Sequence, residues 1–152
     1  MRGGMHPGEH AARTPGKPAV IEADTGAVLT WRELDERSNR LAQFLYSEGL
    51  RPGDHIPLFM ENHLRYSEVV WAALRSGLYI TAINRYLTAD EAAYIVDDCG
   101  ARVLVSSLAR AEVAAALAGR MPGCRRRLMI DGTIAGWESY ETAIAGFPPA
   151  PL

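Results

Sequence analysis

One pattern occurs twice and constrains the fold more than any other: Leu-Thr-x-x-Glu ahead of an apolar-periodic segment, at Leu29 to Glu33 and at Leu87 to Glu91. In such a box the threonine hydroxyl accepts the amide N–H three residues on. The glutamate carboxylate returns to the threonine amide, and flanking apolar residues, here Leu29 with Leu34 and Leu87 with Ala92, fix the entry of the chain. Two helix starts are therefore set by side-chain chemistry. The first helix begins at Trp31, carries Leu34, Ser38, Leu41, Ala42 and Leu45 at the 3.6-residue period, and stops at Gly49. The second ends near Gly100.

Short apolar runs separate the helical segments. "AVIEADTGAVLTW" reads as two strands joined through Asp24, Thr25 and Gly26, a hairpin. "HIPLFM" is the next strand, and Pro57, which lacks a ladder donor, predicts an edge, a bulge or a strand end there. Asn62 is the expected cap of a helix with Tyr66, Val70, Ala73 and Leu74 on one face before Gly77. "LYITAI" and "RVLV" are further strands. Ser107 is the expected cap of a fourth, alanine-rich helix, "LARAEVAAALAG". "RRLMI" is a last strand, and Trp137, Tyr140 and Ile144 predict a short closing helix. Strand and helix alternate four times, which predicts an α/β fold: a mostly parallel sheet flanked by helices, with a short amino-terminal hairpin.

The Gly- and Pro-rich residues 1–18 are expected to be loose or to lie over a surface, residues 19–146 to form the α/β domain, and residues 147–152 to be a linker or truncation point. The tail "GFPPAPL" arrives where another strand or domain would begin. An exposed cut face and self-association through it are therefore expected.

Bulk properties exclude several classes. A chain of 152 residues with 48% apolar side chains can bury a substantial single core. Sixteen basic against 18 acidic residues, a formal charge of −2, gives no field that collects nucleic acid. Cys99 and Cys124 form no CxxC and no Cys/His array, and no apolar signal segment opens the chain; reduced thiols and a cytoplasmic setting are expected. The run "VVWAAL" is far short of the roughly 20 residues that cross a bilayer, so no transmembrane segment is expected, and peripheral membrane contact stays open.

Motifs that carry chemistry are sparse. GxxxxGK[ST] is missing, and the glycines of "GLRPGD" follow a helix rather than precede one, so neither phosphate-cradling pattern applies. In "HPGEH", His6 and His10 do not form an HExxH array. His55 and His63 read as solvated or locally bonded imidazoles unless a distant nucleophile or carboxylate meets them. Ser106 and Ser107 lie between a strand and a helix but lack the glycines of GxSxG. Glu61, Asp90, Glu91, Asp97 and Asp98 have local explanations in helix ends. Asn84, after the "LYITAI" strand, stands where α/β folds place ligand loops, and a turn explains it as well.

The order "TPGKPAVI", "LTWRELDERSNRLAQFLYSEGLRPGDHIPLFMEN", "GLYITAINRYLTADEAAYIVDDCGARVLVSS" resembles the beginning of adenylate-forming enzymes, within them the bacterial acyl-CoA synthetases or fatty-acid–CoA ligases. The likeness covers about residues 10 to 131. It implies an incomplete amino-terminal part of that fold, from a parent enzyme that uses ATP and Mg²⁺ to make an acyl-adenylate and then passes the acyl group to coenzyme A. The family's phosphate loop with its lysine, aromatic-Thr-Glu segment, ribose-binding Asp and small-domain lysine have no counterpart here. The resemblance therefore assigns no catalytic, cofactor-binding or metal residue, and no cofactor to the isolated chain. Asn84, Arg85, Thr88 and Glu91 match the family's "IN-R-LT--E" stretch as scaffold. Tyr79 and Thr81 suit the subgroup acting on hydrophobic acyl chains.

Three readings follow. The first is an amino-terminal part of an acyl-CoA synthetase, inactive alone, whose partner is the remainder of the enzyme. The second is a noncatalytic α/β interaction module. The third is a hydrolase using Ser106 or Ser107 with His55 or His63.

Overall fold

The computed structural model describes residues 6–152. Two sheets are present: an antiparallel hairpin of β1 (Pro18–Ile21) and β2 (Val28–Thr30), and a five-stranded parallel sheet. The parallel sheet contains β3 (His55–Phe59), β4 (Tyr79–Ala82), β5 (Val103–Ser107), β6 (Arg126–Ile130) and β7 (Glu138–Ser139), in the order β4-β3-β5-β6-β7. The mostly parallel α/β fold with its hairpin is as the sequence predicts.

Both capping boxes form. Thr30 Oγ1 accepts from the Glu33 amide at 3.3 Å, and Glu33 Oε2 accepts from the Thr30 amide at 2.8 Å, at the start of α2 (Trp31–Ser47). Thr88 and Glu91 repeat this at 3.4 and 2.8 Å at the start of α4 (Ala89–Asp98). Gly49 and Gly100 follow the two helices with φ of 86° and 64°, the left-handed stops the pattern requires.

The strands alternate between two cores. Ile56, Leu58, Val103, Val105, Leu128 and Ile130 face α2, α3 (Leu64–Arg75) and α6 (Tyr140–Ala145). Phe59, Leu104 and Met129 face the other way, into a cluster with Ala92, Ala93 and Val96 of α4, Ala114 and Leu117 of α5 (Ala111–Leu117), and Trp137.

Several local expectations are corrected. Residues 7–13, expected as loose chain, form α1 (Pro7–Arg13); residues 1–5 lie outside the described residues. Proline suits the first helical position, and His6 Nδ1 accepts from the Gly8 amide as the cap. His6 meets Trp71 edge-on and His10 stacks on Trp31, with ring centroids 5.8 and 4.4 Å apart. Pro57 stands on no edge: β3 lies between β4 and β5, and its pairing with β4 runs without a shift from His55 to Leu58. The ladder from β3 to β5 involves only Leu58 and Phe59, so the missing donor falls just ahead of it.

His63, not Asn62, caps α3, through Nδ1 accepting from the Arg65 amide at 3.0 Å. The buried face of α3 is Glu68, Val69, Ala72 and Ala73, while Leu74 is exposed. Ser107 makes no cap; the chain enters α5 through one turn of 3₁₀ helix, Leu108–Arg110. The two-residue strand β7 and its parallel pairing with β6 were not anticipated. Residues 147–151 run against α2: Arg40 donates to the carbonyls of Ala145 and Phe147, Asn39 to Pro149, and Gln43 to Ala150 and Pro151.

Candidate functional site

In an open parallel sheet, ligands bind beyond the carboxyl ends of the strands, where neighbouring connections leave in opposite directions along the sheet. Here that point lies between β3, whose chain proceeds outward to β4, and β5, whose chain proceeds the other way to β6. The residues emerging there are Met60 to His63 after β3, Ser106 and Ser107 at the end of β5, and Asp131 after β6.

Their side chains cross-link the strand ends. Ser106 Oγ donates to the Phe59 carbonyl at 2.6 Å, and Ser107 Oγ donates to Glu61 Oε2 at 2.5 Å. His63 Nδ1 is occupied by the Arg65 amide, so its Nε2 carries the proton of the neutral ring and donates to Asp131 Oδ2, 2.7 Å away. Asp131 adopts φ of 68°, and its amide donates to Glu141. A carboxylate does come to His63 from afar, but as part of a cap and a strand-end tie.

This arrangement dismantles the hydrolase reading. Both serines are fully buried, each hydroxyl is already donating, and both His63 nitrogens are engaged. A nucleophile and base must instead meet each other across a reachable space. His55 faces away from this end, its Nδ1 2.9 Å from Thr81 Oγ1. Asn84 accepts from the Tyr86 amide at 3.0 Å, a local turn, and the Arg85 carbonyl accepts from Arg110. Among the described residues no three His, Cys, Asp or Glu side chains group as a metal site. Burial pushes the Cys124 thiol up to about 11 and raises Cys99 as well, so neither is poised as a thiolate.

Next to His63 opens a cleft of about 510 Å³ between the hairpin, α2 and the start of α3, lined by Val28, Leu29, Glu36, Arg37, Arg40, Leu64, Arg65 and Asp131 among others. Beneath it lies a charged cluster that sequence reasoning missed. Glu68 is fully buried, and its Oε1 accepts from Arg37 Nε at 2.6 Å and Arg65 Nη1 at 2.7 Å. Its Oε2 accepts from the Tyr140 hydroxyl at 3.1 Å. Burial first, and then the neighbouring Glu68 carboxylate, raise Tyr140 well above the usual phenol range, which keeps the hydroxyl protonated and donating. The only sequence signal for this cluster is an acid at the margin of a helical face otherwise made of Val69, Ala72 and Ala73.

Comparison with known proteins decides the family. The profile of the AMP-binding enzyme family matches residues 8–148. The chain belongs to that family. A fatty acid–[acyl-carrier-protein] ligase of Streptomyces coeruleorubidus is 36% identical over 95 residues, 62% of this chain and 18% of the relative. A feruloyl-CoA synthase of Amycolatopsis sp is 36% identical over 119 residues, 78% of this chain and 24% of the relative. A long-chain-fatty-acid–CoA ligase of Salmonella typhimurium is 35% identical over 99 residues, 64% and 17% of the two chains. The chain thus spans about a quarter or less of these ligases.

Solved structures share the fold. An anthranilate CoA ligase in complex with anthranoyl-AMP superposes with a TM-score of 0.82 at 22% identity, over 95% of this chain and 27% of the other. The N-terminal domain of FACL13 from Mycobacterium tuberculosis gives 0.81 at 21% identity, over 96% and 36%. The family is that of adenylate-forming ligases, and the relatives named here carry fatty-acid and feruloyl names alike. No helix of the described residues is long and apolar enough to cross a membrane.

Proposed function

We propose that this chain is the amino-terminal scaffold of an ATP-dependent acyl-CoA ligase, one acting on fatty acids, and that it makes no acyl-adenylate by itself. Residues 19–146 supply the first lobe and residues 147–152 a linker. The observation that carries the reading is the family match over residues 8–148 in a segment whose strand-end hydroxyls, imidazole and carboxylates are spent on one another. Stabilising the charge that develops on transferring phosphoryl oxygens takes preorganised donors and a metal, whereas the hydroxyls of Ser106 and Ser107 and the imidazole of His63 at the strand ends are already engaged within the fold. In the whole enzyme ATP, Mg²⁺ and coenzyme A serve as substrates and cofactor. The remainder of the ligase is the principal partner, and a second copy is the partner of the free lobe. A cytoplasmic setting, with contact at a membrane surface for a long acyl chain, fits the fatty-acid reading.

The test is the source gene. A reading frame continuing past Leu152 into a Ser/Thr/Gly-rich loop with a lysine, whose product forms acyl-adenylate from a fatty acid in preference to ferulate or anthranilate, is the expected result. A product that activates only an aromatic acid would overturn the fatty-acid assignment, and a frame without that loop would overturn the ligase reading itself.

A further inference from the structure

Strand β4 is one edge of the parallel sheet. Charge, proline and bulges are the usual ways an edge is kept from pairing. Between Leu78 and Ile83 there is neither charge nor proline, and the register against β3 runs unshifted from Tyr79 to Ala82. In a parallel strand each residue turns its N–H and C=O to the same side, and successive residues alternate. The Tyr79 amide donates to the Asp54 carbonyl and the Ile83 amide to the Leu58 carbonyl, both toward β3. Ile80 and Ala82 therefore turn their backbone groups outward, where among the described residues no strand meets them.

The surface beside this edge is apolar. Tyr79 shares a strand face with Ile83, which packs beneath α4 with Ala92, Ala93 and Val96. Tyr79 and Tyr94 are 61% and 70% exposed, and Leu87, Tyr94 and Ile95 line a shallow hollow on α4. Asp90 and Glu91 also line it and are engaged by Arg120 and Thr88.

Charge selects the strand that fits. Helix α4 leaves the carboxyl end of β4 and returns the chain to the amino end of β5, so the exposed Asp97 and Asp98 stand at the amino end of the sheet. Arg85 stands at the carboxyl end, where its guanidinium donates to the Tyr86 hydroxyl. Among the described residues none of the three has an ion-pair partner. An edge that is negative at one end and positive at the other is matched by itself run in reverse, about a two-fold axis. On such an axis Ile80 of one copy opposes Ala82 of the other and exchanges both backbone bonds with it, twice by symmetry, while Thr81 meets its own symmetry mate. The two strands with Tyr79 and Tyr94 of both copies supply on the order of 1,000 Å², the area a specific interface needs.

We propose that a second copy of this chain adds to the free edge of β4, antiparallel about a two-fold axis through Thr81, and makes one continuous sheet. This rests on the reading that a second copy is the partner of the free lobe and names the surface used; ligase chemistry does not enter.

Sedimentation equilibrium of the 152-residue chain, joined to hydrogen exchange, is the test. The chain should pass from monomer to dimer between about 10 μM and about 1 mM, and the Ile80 and Ala82 amides should exchange at least about tenfold more slowly at the dimeric end. Ala82→Pro removes an outward donor at an exposed position and spares the bonds to β3, so it should weaken the dimer at least about tenfold. Tyr79→Lys, which places a cation on the edge, carries this arm if Ala82→Pro fails to fold. Arg85→Glu should weaken the dimer at least about threefold. A chain that stays monomeric overturns the proposal and the second-copy reading together. A dimer in which Ile80 and Ala82 exchange as in the monomer, or which a folded Ala82→Pro or Tyr79→Lys chain forms undiminished, overturns the edge alone. A dimer indifferent to Arg85→Glu overturns the two-fold register.

Discussion

The two faces of the parallel sheet are covered in different ways. The face under α4 and α5 is closed by small and apolar side chains, Ala92, Ala93, Val96, Ala114 and Leu117, with Trp137 donating its indole N–H to the Ala114 carbonyl at 3.0 Å. The face under α2, α3 and α6 holds larger residues, Phe44, Leu45 and Tyr140, and beneath its cleft encloses the carboxylate of Glu68 with two arginines. The first face is held by packing and that one buried hydrogen bond between neutral groups. The second depends on a charge that is tolerable only while its partners stay in place. The comparison teaches that the buried polar chemistry of the second face is structural: Glu68 ties α2, α3 and α6 together.

The largest expected effect follows from that dependence. Glu68→Ala strands Arg37, Arg65 and the Tyr140 hydroxyl and should lower unfolding free energy by about 3–5 kcal/mol in urea titrations. A loss under about 1 kcal/mol would mean that the two faces are held alike. On the other face, Trp137→Phe removes the bond to Ala114 and some volume, and should cost about 1–3 kcal/mol.

Smaller changes test the helix starts that serve each face. Thr30→Ala and Thr88→Ala should each cost about 1 kcal/mol, whichever face the helix covers. Hydrogen bonds from the Thr30 amide and then its hydroxyl hold Glu33 below the usual carboxylate range, and those of Thr88 do the same for Glu91. For a lowered carboxyl the added stability is present above its unfolded pKa and is lost as pH falls through the folded value. Wild-type stability should therefore fall in that acid window, and the double threonine variant should show a shallower decline there. The smallest effect is expected for Leu74→Ser, within about 0.5 kcal/mol, since Leu74 lies on the exposed side of α3.

Legibility in the sequence followed the same division. The capping boxes at Thr30 and Thr88, the glycine stops and the alternating strands were readable because each rests on a local rule that few residues decide. The face of α3 was misread: Leu74 looked like core and Glu68 went unremarked, because the partners that bury Glu68 come from α2 and α6, tens of residues away. The cap of α3 was misplaced for a related reason, since the imidazole of His63 caps the helix as Asn62 was expected to, and its tie to Asp131 spans 68 positions. Helix α1 escaped notice because its two histidines dock on indoles that come from other helices. The family was legible from the order of phrases; the cleft was not, because hairpin, α2 and α3 meet there only in three dimensions.

The central claim is that this lobe holds up chemistry it does not perform. Carboxylate-dependent ATP–pyrophosphate exchange, measured on the folded 152-residue chain with Mg²⁺ and a panel of fatty and aromatic acids, tests it most directly. The account predicts no exchange above the rate without protein, while saturable exchange driven by any one of the acids would contradict it.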